Sequence, residues 1–355
     1  MKIGTVFTAT AVVAIFAAGS FFAYQHWRTP VRDPLDVLTQ MPPDAKAVIF
    51  CDFAALKTSA FLAEFYKWAP ASGVDEDYRQ FVQATGFNYE TDLNWAGIAI
   101  VPRGQDAAVI AVADGRFDRK KISAYGLQTG TRENHNGREL FLLPVQRGSR
   151  RIALTFLRDD RIQITSGEDL DADVSATQTD ADALAWKERF RRLAGSPVFA
   201  VVREDAAISS AFGAHAPGNF QSPQLAGLLD QLQWITVAGK PENDRLRIVL
   251  EGEAASEATT RQLSDVVNAL LEMTQAGLND AKTRAHLAPA VREAYLEVLK
   301  SADVSRIDRG ETKGVRLIFD VTPNFLDAAR SATQAPAPTA PVKRVPAPGR
   351  GTIRN

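Results

Sequence analysis

The chain has few of the residues on which covalent chemistry depends. It contains 355 residues and one cysteine, Cys51, so no intramolecular disulfide can form. Cys51 lies within an apolar run and has no histidine at motif spacing. A reactive thiolate needs an electropositive and partly exposed setting, so we expect Cys51 to be a small core residue rather than a nucleophile. An oxidising compartment is permitted by this count but not indicated by it.

Histidine is equally scarce. The four histidines are His26, His135, His215 and His286. No two of them are three or four positions apart, as two ligands on one helix would be. A zinc site requires histidine, cysteine or carboxylate ligands that converge, so the sequence predicts no metal-binding histidine.

One acidic cluster loosely imitates a calcium loop. Asp169, Asp171 and Asp173 occupy the first three ligand positions of such a loop, and Asp180 occupies the last. The sixth position, which requires glycine for a sharp turn, is Val174, and the last ligand should be a bidentate glutamate. A solvated helix cap is therefore the better interpretation of this cluster.

Catalytic motifs are also missing. The pairs 166–167 and 209–210 contain serine but lack the Gly-x-Ser-x-Gly elbow of a hydrolase. The glycines of 213–218 lack the lysine and the preceding strand of a phosphate loop, and this stretch is the longest candidate for a binding loop or lid. Asp52 is better explained as the cap of the turn at 53–56 than as a lone catalytic carboxylate. The sequence thus predicts no catalytic, cofactor-binding or metal-binding residue.

An excess of charge of either sign is absent as well. The net charge is −1, with 45% hydrophobic and 23% charged residues, which is typical of a folded globular protein. Nucleic acid as the main partner would require a basic face. The composition therefore argues against a nucleic-acid partner.

What the chain does have is an apolar N-terminal segment. Residues 3–24 are uncharged and mostly apolar, and at 1.5 Å per residue they would span about 33 Å as a helix, enough to cross a bilayer. A cleavable signal peptide has a shorter core and an Ala-x-Ala-like site, whereas here the small-x-small pairs precede the bulky Phe21 and Phe22. An uncleaved signal anchor is favoured over a cleaved peptide or a buried soluble helix. No cysteine follows the run, which excludes a lipoprotein.

The charges that flank this segment are nearly balanced. Lys2 and the amino terminus lie on the short side, and Arg28 and Arg32 lie on the other, where Asp33 and Asp36 offset them. A long following domain is translocated largely regardless of such charges. We expect the body of the protein to lie outside the cytoplasm, an expectation that rests more on the resemblance described below than on charge.

Changes in composition divide the chain into five segments. These are an anchor at 1–24, a proline-broken linker at 25–44, a module at 45–194, a second module at 195–330 and a tail at 331–355. The tail is rich in proline and alanine and carries four bases and no acid, so it cannot bury enough apolar surface to fold. Either it contacts anionic lipid or a wall polymer weakly, or it is a solvated tail with no partner.

The second module repeats the pattern of the first. In residues 95–127 two strand-like runs and a turn are followed by a polar cap and a helix, and residues 234–273 have the same order. We therefore predict an α+β fold of two tandem β-α-β-β-α-β modules, with largely antiparallel sheets and helices on one face. Strands are predicted at 47–53, 95–101, 107–113, 139–143, 152–157, 161–165, 197–202, 234–238, 246–251, 304–307 and 315–321. Helices are predicted to begin at the caps Ser59, Asp118 and Ser256, and with Pro289 in a first turn.

Three short motifs resemble those of a known family. They are Leu-Thr-Gln-Met-Pro-Pro-Asp-Ala at 38–45, Phe-Val-Gln-Ala-Thr-Gly-Phe-Asn at 81–88 with Asp-Leu at 92–93, and Asp-Gly-Arg-Phe-Asp at 114–118. Together they resemble an uncharacterised family of bacterial exported or membrane-anchored proteins, mainly over 45–190. The resemblance implies a location outside the cytoplasm and a duplicated α+β fold, and it implies no activity.

Three functions remain open on this evidence. The first is a non-enzymatic scaffold or binding module of the cell envelope, held in the membrane by residues 3–24, with an envelope protein or polymer as partner and a site in the cleft between the modules. The second is an envelope hydrolase or modifying enzyme whose carboxylates converge only in the folded chain. The third is a carrier of apolar ligands, which would require a continuous apolar cavity.

Overall fold

The computed structural model describes residues 34–61, 76–103, 106–135, 137–143, 151–167, 180–203, 227–310 and 312–334. The strands are β1 (Ala47–Asp52), β2 (Leu93–Arg103), β3 (Asp106–Gly115), β4 (Thr131–His135), β5 (Arg138–Leu143), β6 (Arg151–Arg158), β7 (Arg161–Gly167), β8 (Val198–Arg203), β9 (Leu232–Glu242), β10 (Arg245–Ala254), β11 (Asp303–Arg309) and β12 (Thr312–Val321). The helices are α1 (Leu35–Leu38), α2 (Phe53–Leu56), α3 (Glu76–Thr85), α4 (Tyr89–Asp92), α5 (Arg119–Thr129), α6 (Asp180–Leu193), α7 (Glu257–Asn279), α8 (Ala281–His286), α9 (Pro289–Ser301) and α10 (Pro323–Gln334).

These strands form one antiparallel sheet, in the order β11-β12-β10-β9-β8-β1-β2-β3-β7-β6-β5-β4. The predicted α+β class and antiparallel pairing are confirmed. Two separate sheets were expected, one in each module, but the strands form a single sheet. Strand β1 pairs with β8, which places Ile49 opposite Ala200. The alternation of residues within a strand does not reveal which strand will lie beside it, so this joint could not be predicted from sequence.

The two halves of the sheet have the same strand order from the centre outward. On one side the order is β1-β2-β3-β7-β6, and on the other it is β8-β9-β10-β12-β11. In each half the innermost strand is the first in the chain, β1 or β8, and a hairpin follows it. The strand that comes last in the chain, β7 or β12, pairs with the second strand of that hairpin. Strands β5 and β4 extend the first half alone.

The two faces of the sheet carry different residues. We call the face that bears Trp95 and Trp234 the tryptophan face, and the face that bears Ile49 and Ile98 the aliphatic face. Side chains alternate between faces along a strand, and the pairing register carries each face across the sheet.

Helices cover both faces. Helix α6 lies on the tryptophan face, where Trp186 belongs to the main core. Helix α5 lies on the aliphatic face, where its Ile122 packs with Ile164 of β7, and α7 lies on the same face, where its Leu263 packs with Ile235 of β9. The expectation that helices lie on one face is therefore corrected. The sequence reading overlooked α6, which forms the second layer.

The core of the tryptophan face contains a row of aromatic rings that crosses the joint between β1 and β8. The rings follow one another in the order Trp95, Phe50, Phe199, Phe190, Trp186 and Trp234, with centroids of neighbours 5.0–6.4 Å apart. Offset and edge-to-face pairs at such distances stabilise a core beyond their area burial. The row therefore ties the two halves of the sheet to α6.

Two of the three predicted helix caps are confirmed, whereas the hydroxyl of the third, Ser59, has no hydrogen-bond partner among the described residues. The Asp118 carboxylate accepts a hydrogen bond from the Lys121 amide and caps α5, and the Ser256 hydroxyl accepts one from the Thr259 amide and caps α7. Pro289 is the first residue of α9, as predicted. Because capping depends on a few neighbouring residues, such predictions succeed without knowledge of the fold.

Six elements were not predicted, namely β4, α6, α10 and the short helices α1, α4 and α8, of which α1 lies within the segment predicted as a linker. The signal for α6 was present, because Ala183, Trp186, Phe190 and Leu193 recur at helical spacing and are all buried. Strand β4 has no such signal, since four of its five residues are exposed and polar. Edge strands with exposed polar side chains carry little periodic hydrophobicity.

Several predictions fall outside the described residues. They concern the apolar segment 3–24, the tail from 335 onward, and the helix expected to continue from Ser59 beyond residue 61. Among the residues that are described, no helix is both long enough and apolar enough to cross a membrane.

Candidate functional site

A pocket lies where the two halves of the sheet meet, beside the end of β1 and the start of β8. Three segments line it: 55–60 after β1, 195–197 before β8, and 240–243 at the tip of the β9–β10 hairpin. Its volume is about 420 Å³. Ligand sites usually enclose roughly 300–1,000 Å³, so a small organic molecule or a short peptide end would fit.

Backbone hydrogen bonds and turn conformations hold in place the segments that line this pocket. Asp52 ends β1 and its carboxylate accepts a hydrogen bond from the Ala55 amide at 2.8 Å, so the predicted cap is confirmed. The Asp52 amide donates to the Pro197 carbonyl at 2.7 Å, which holds the two segments together. At the hairpin tip Asn243 adopts a φ of 59°, a conformation that asparagine tolerates better than most residues.

Lys240 is the only charged residue among the described residues that line the pocket. It forms no ion pair with the described residues. The two acids near it in the chain are engaged elsewhere, because Glu242 lies 2.9 Å from Arg247 and Asp244 lies 3.9 Å from Arg245. In the part of its lining that the structure describes, the pocket therefore presents one ammonium group and no carboxylate.

The Ser59 hydroxyl adds a second polar group to the lining. It is shielded from solvent and has no hydrogen-bond partner among the described residues. The neighbouring Thr58 hydroxyl donates to the Ala55 carbonyl at 2.9 Å. A shielded hydroxyl without a partner costs free energy that a bound acceptor would recover. Among the described lining residues there is no histidine or carboxylate that could activate Ser59 as a nucleophile.

Asp52 and Lys57 are ionisable residues near the pocket, but they do not line it. Burial raises the pKa of Asp52, and the amides of Ala54 and Ala55 with the charge of Lys57 lower it in part. Burial also lowers the pKa of Lys57, and the charge of Arg116 acts in the same direction. The Lys57 ammonium group donates to the carbonyls of Thr91 and Leu93 at the start of β2, which indicates a structural role.

The tryptophan face holds a buried carboxylate between two arginines. Glu253 is 2% exposed and accepts hydrogen bonds from Arg189 and Arg192 of α6. The Arg189 guanidinium also lies 4.0 Å from the centroid of the Trp234 ring, at cation–π distance. These contacts fasten α6 to β10, and they leave no free carboxylate for catalysis at this position.

A matching cluster lies in the first half of the sheet. Asp114 is 2% exposed, and its carboxylate accepts from Arg161 at 3.4 Å and from Asn94 at 3.2 Å. The Arg161 guanidinium lies 4.8 Å from the Trp95 ring centroid. Trp95 pairs with Asp114 across the β2–β3 hairpin, just as a tryptophan pairs with a glutamate across β9–β10.

Glu251 is the third buried acid on this face. Arg309 donates to its carboxylate through two nitrogens, each at 3.0 Å, and Arg316 donates at 2.8 Å. Burial alone would raise the pKa of Glu251, but the hydrogen bonds and charges of the two arginines outweigh it and lower the pKa below its ordinary value. Glu251 is therefore ionised in the folded protein and is not a proton donor.

Glu251 is expected to make stability depend on pH. Because its folded pKa is lowered, its contribution is complete above the unfolded pKa of about 4.3 and is lost as the pH falls through the folded pKa. We expect Glu251→Gln to be less stable than the wild type at pH 7 and to lose stability less steeply below pH ~4.3. The slope of its unfolding free energy against pH should be smaller by an amount that corresponds to at most one proton. Urea unfolding of both proteins from pH 7 to pH 3 measures the stability and its dependence on pH. If the unfolding free energies of the wild type and the variant change in parallel with pH, Glu251 is not the source of this dependence.

The residues considered from sequence do not converge in the described part of the chain. Cys51 is half-buried on the aliphatic face, and burial raises the pKa of its thiol, so it remains protonated. His135 lies in β4, 2.8 Å from Glu133, and His286 ends α8. No group of three potential ligands is close enough to hold a metal ion among the described residues.

Other sequence candidates lie outside the described residues. These are the loop 213–218, the serines at 209–210, His26 and His215, and the acids Asp169, Asp171 and Asp173. Asp180 is the first residue of α6. Ser166 lies within β7.

Ser59 was predicted only as a helix cap, and Lys240 was not identified from the sequence, so the pocket that they line was not predicted. Lys240 and Ser59 are 181 positions apart (240 − 59) and carry no motif. Their only sequence signal was position, because each follows a predicted strand near a turn. The pairing of β1 with β8 and of β8 with β9 brings the two turns to the same end of the sheet.

No protein-family model matches the chain, and no curated protein matches it significantly. Among solved structures, the chain is similar to three crystal forms of TP0453. Crystal forms III and IV give a TM-score of 0.41 at 9% and 8% identity, and form I gives 0.39 at 8%. The alignments cover 85–86% of this chain and 99–100% of TP0453. A TM-score below 0.5 at this identity establishes neither a shared fold nor a shared function.

Proposed function

We propose that this protein is a non-catalytic binding module held at a membrane by residues 3–24, with its body outside the cytoplasm. The observation that carries the binding role is the pocket of about 420 Å³ at the junction of the two halves, whose described lining residues include an ammonium group without an ion-pair partner in the described part of the chain and no acid–base pair. Binding sites prefer such junctions. The membrane location is supported by the length and apolar character of the N-terminal segment.

The described acids do not favour the hydrolase alternative. A carboxylate site would need two acids or histidines that share a concave, partly desolvated pocket. The buried acids Asp114, Glu251, Glu253 and Asp320 are each hydrogen-bonded to arginine, and none lines the pocket. A binding module needs no such pair.

We further infer that the body arose by duplication, with modules at 45–194 and 195–330. The common strand order from the centre outward supports this. So does the placement of the two tryptophan–acid pairs, because Trp95 faces Asp114 in one hairpin and Trp234 faces Glu253 in the other. A pocket at the joint of two repeats would then be a feature of the joined chain rather than of either repeat.

Filling the pocket tests the binding role. Ala60 is exposed and lines the pocket, so Ala60→Trp should occupy it without disturbing the core. We expect the full chain to fractionate with membranes and, after solubilisation, to retain a ligand or envelope partner that Ala60→Trp loses. Native mass spectrometry detects a bound small molecule, and affinity capture from solubilised envelope detects a protein.

The matched control is Ala276→Trp, at an exposed position of α7. It should retain the same adduct and the same partner as the wild type, with an unchanged unfolding temperature in both variants. An adduct that Ala60→Trp keeps, or a wild-type protein with neither adduct nor reproducible partner, would overturn the proposal.

A carrier of apolar ligands is the second candidate, and one observation favours it. On the aliphatic face, the central parts of β8, β9, β10 and β12 carry apolar, mostly half-buried residues: Val198, Ala200, Val202, Ile235, Val237, Gly239, Leu246, Ile248, Leu250, Leu317, Phe319 and Val321. Contiguous apolar surface of this kind often marks an interaction site. An apolar adduct that survives in Ala60→Trp but is lost in Val237→Asn would favour this function over the first.

A further inference from the structure

We propose that the junction pocket is a site for a small organic anion, one that has a single carboxylate or phosphate head and a compact apolar body. The inference rests on the proposed binding role of the pocket and names the class of ligand. It depends on three features of the lining: an unpaired cation, an unsatisfied hydroxyl, and apolar walls.

The cation is the first feature. Lys240 supplies the only charge among the described lining residues, and those residues that the structure describes give it no ion-pair partner. The two acids that follow it along the hairpin, Glu242 and Asp244, are close to Arg247 and Arg245 instead. The Lys240 side chain is exposed, and no carboxylate is among the described lining residues, so its ammonium group attracts an anion. Because the described lining has one ammonium group and no arginine fork, a head with one centre of negative charge fits better than a polyanion.

The hydroxyl is the second feature. The Ser59 hydroxyl is shielded and lacks a partner among the described residues, and it lines the same pocket as Lys240. A carboxylate or phosphate oxygen can accept from the hydroxyl and from the ammonium group at once. Hydrogen bonds to a charged acceptor are the stronger kind, so the two groups together would orient the head.

The walls are the third feature. Ala55, Ala60, Pro197 and Pro241 provide the apolar part of the remaining lining, and Thr58, Gly195 and Asn243 provide the rest. The apolar part gives room for a compact apolar body beside the charged head. The backbone at this place is held by the hydrogen bond from the Asp52 amide to the Pro197 carbonyl, so the pocket is pre-formed.

The test measures binding of defined probes to the full chain in nanodiscs of zwitterionic lipid, with empty nanodiscs as the blank. The probes are 2-naphthoate and 2-naphthyl phosphate, which differ only in the head, with 2-naphthalenemethanol as the neutral analogue and inorganic phosphate as the head alone. Equilibrium dialysis should show at least about tenfold tighter binding of one naphthyl anion than of the alcohol or of phosphate. The difference between the two anions tells a carboxylate ligand from a phosphate ligand.

Variants assign the effect to the pocket. Lys240→Gln should weaken the preferred anion about tenfold or more and leave the alcohol unchanged, since a charge-assisted contact is lost. Ser59→Ala should weaken the anion by a smaller factor. Lys300→Gln, at an exposed lysine of α9, is the matched control and should bind as the wild type does.

Three results would overturn the inference. Equal binding of the alcohol would remove the role of charge, and equal binding of inorganic phosphate would remove the role of the apolar body. Failure of all probes to bind would exclude the proposed class. In each case the proposed function is judged separately, because a natural adduct or partner that Ala60→Trp loses would still show that the pocket binds something else.

Discussion

Replacement of Glu253 with glutamine is expected to reduce the free energy of unfolding by about 3–5 kcal/mol. The substitution preserves shape but removes the charge that faces Arg189 and Arg192. The Arg189 side chain is 9% exposed, so water cannot replace the lost partner. Removal of one member of a buried ion pair leaves an uncompensated charge in a medium of low dielectric constant, which is the source of the large effect.

Urea unfolding at pH 7 measures this loss. The matched control is Glu257→Gln, because Glu257 forms an exposed pair with Arg261 one turn away on α7, with side chains 65% and 62% exposed. That variant should lose no more than about 0.5 kcal/mol. A loss below about 1 kcal/mol for Glu253→Gln would mean that the arginines are hydrated, and that this cluster does not fasten α6 to the sheet.

A double variant separates the charge from the packing. Arg189→Met with Glu253→Met removes one cation and the anion together, and apolar replacement of a buried pair is often nearly neutral. We expect the double variant to lose less stability than the sum of the two single Met variants. An additive result would indicate that the two side chains do not interact in the folded protein.

Truncation of Trp186 to alanine is expected to cost about 3–5 kcal/mol. Trp186 is fully buried on α6 and lies between Phe190 and Trp234, whose ring centroids are 6.4 Å and 5.0 Å away. The variant loses the transfer free energy of the indole and leaves a cavity that a twelve-stranded sheet on one side cannot fill by collapsing. Trp186→Phe should cost less, because part of the ring volume remains.

Leu184→Ala is the control for this helix. Leu184 lies two residues before Trp186 on α6 and is 64% exposed, so its truncation should change stability by no more than about 0.5 kcal/mol. Circular dichroism and tryptophan fluorescence should report the same transition, since the aromatic row joins both halves. Two separate transitions in the wild type, or a loss below about 1 kcal/mol for Trp186→Ala, would show that the halves are stabilised independently of α6.

The twin tryptophan–acid–arginine clusters lie at corresponding places in the two halves but use different arginines. Arg161 comes from β7, whereas Arg189 comes from α6. The acids and tryptophans face one another across a hairpin and are close in sequence, while the arginines arrive from other elements. Sequence comparison of the two halves could therefore align the hairpins but could not identify the cation.

The sequence alone determined the local features of this protein. The β2–β3 and β9–β10 hairpins, the caps Asp118 and Ser256, and the role of Asp52 were predictable, because alternation, turns and capping each depend on residues within a few positions. The apolar segment 3–24 belongs to the same category, since length and hydropathy are read directly from the chain. Helix α6 could also have been found by its spacing of Trp186, Phe190 and Leu193.

Only the tertiary structure decided the rest. The pairing of β1 with β8 joined the two expected sheets into one. It also brought Ser59 and Lys240 to one pocket, although the sequence of neither turn indicates that the other lies beside it. The burial of Glu253 between two arginines likewise depends on how α6 crosses the sheet. Strand pairing and helix packing are set by the summed burial of many distant residues, so a site formed between turns that are far apart in sequence has no local pattern to predict it.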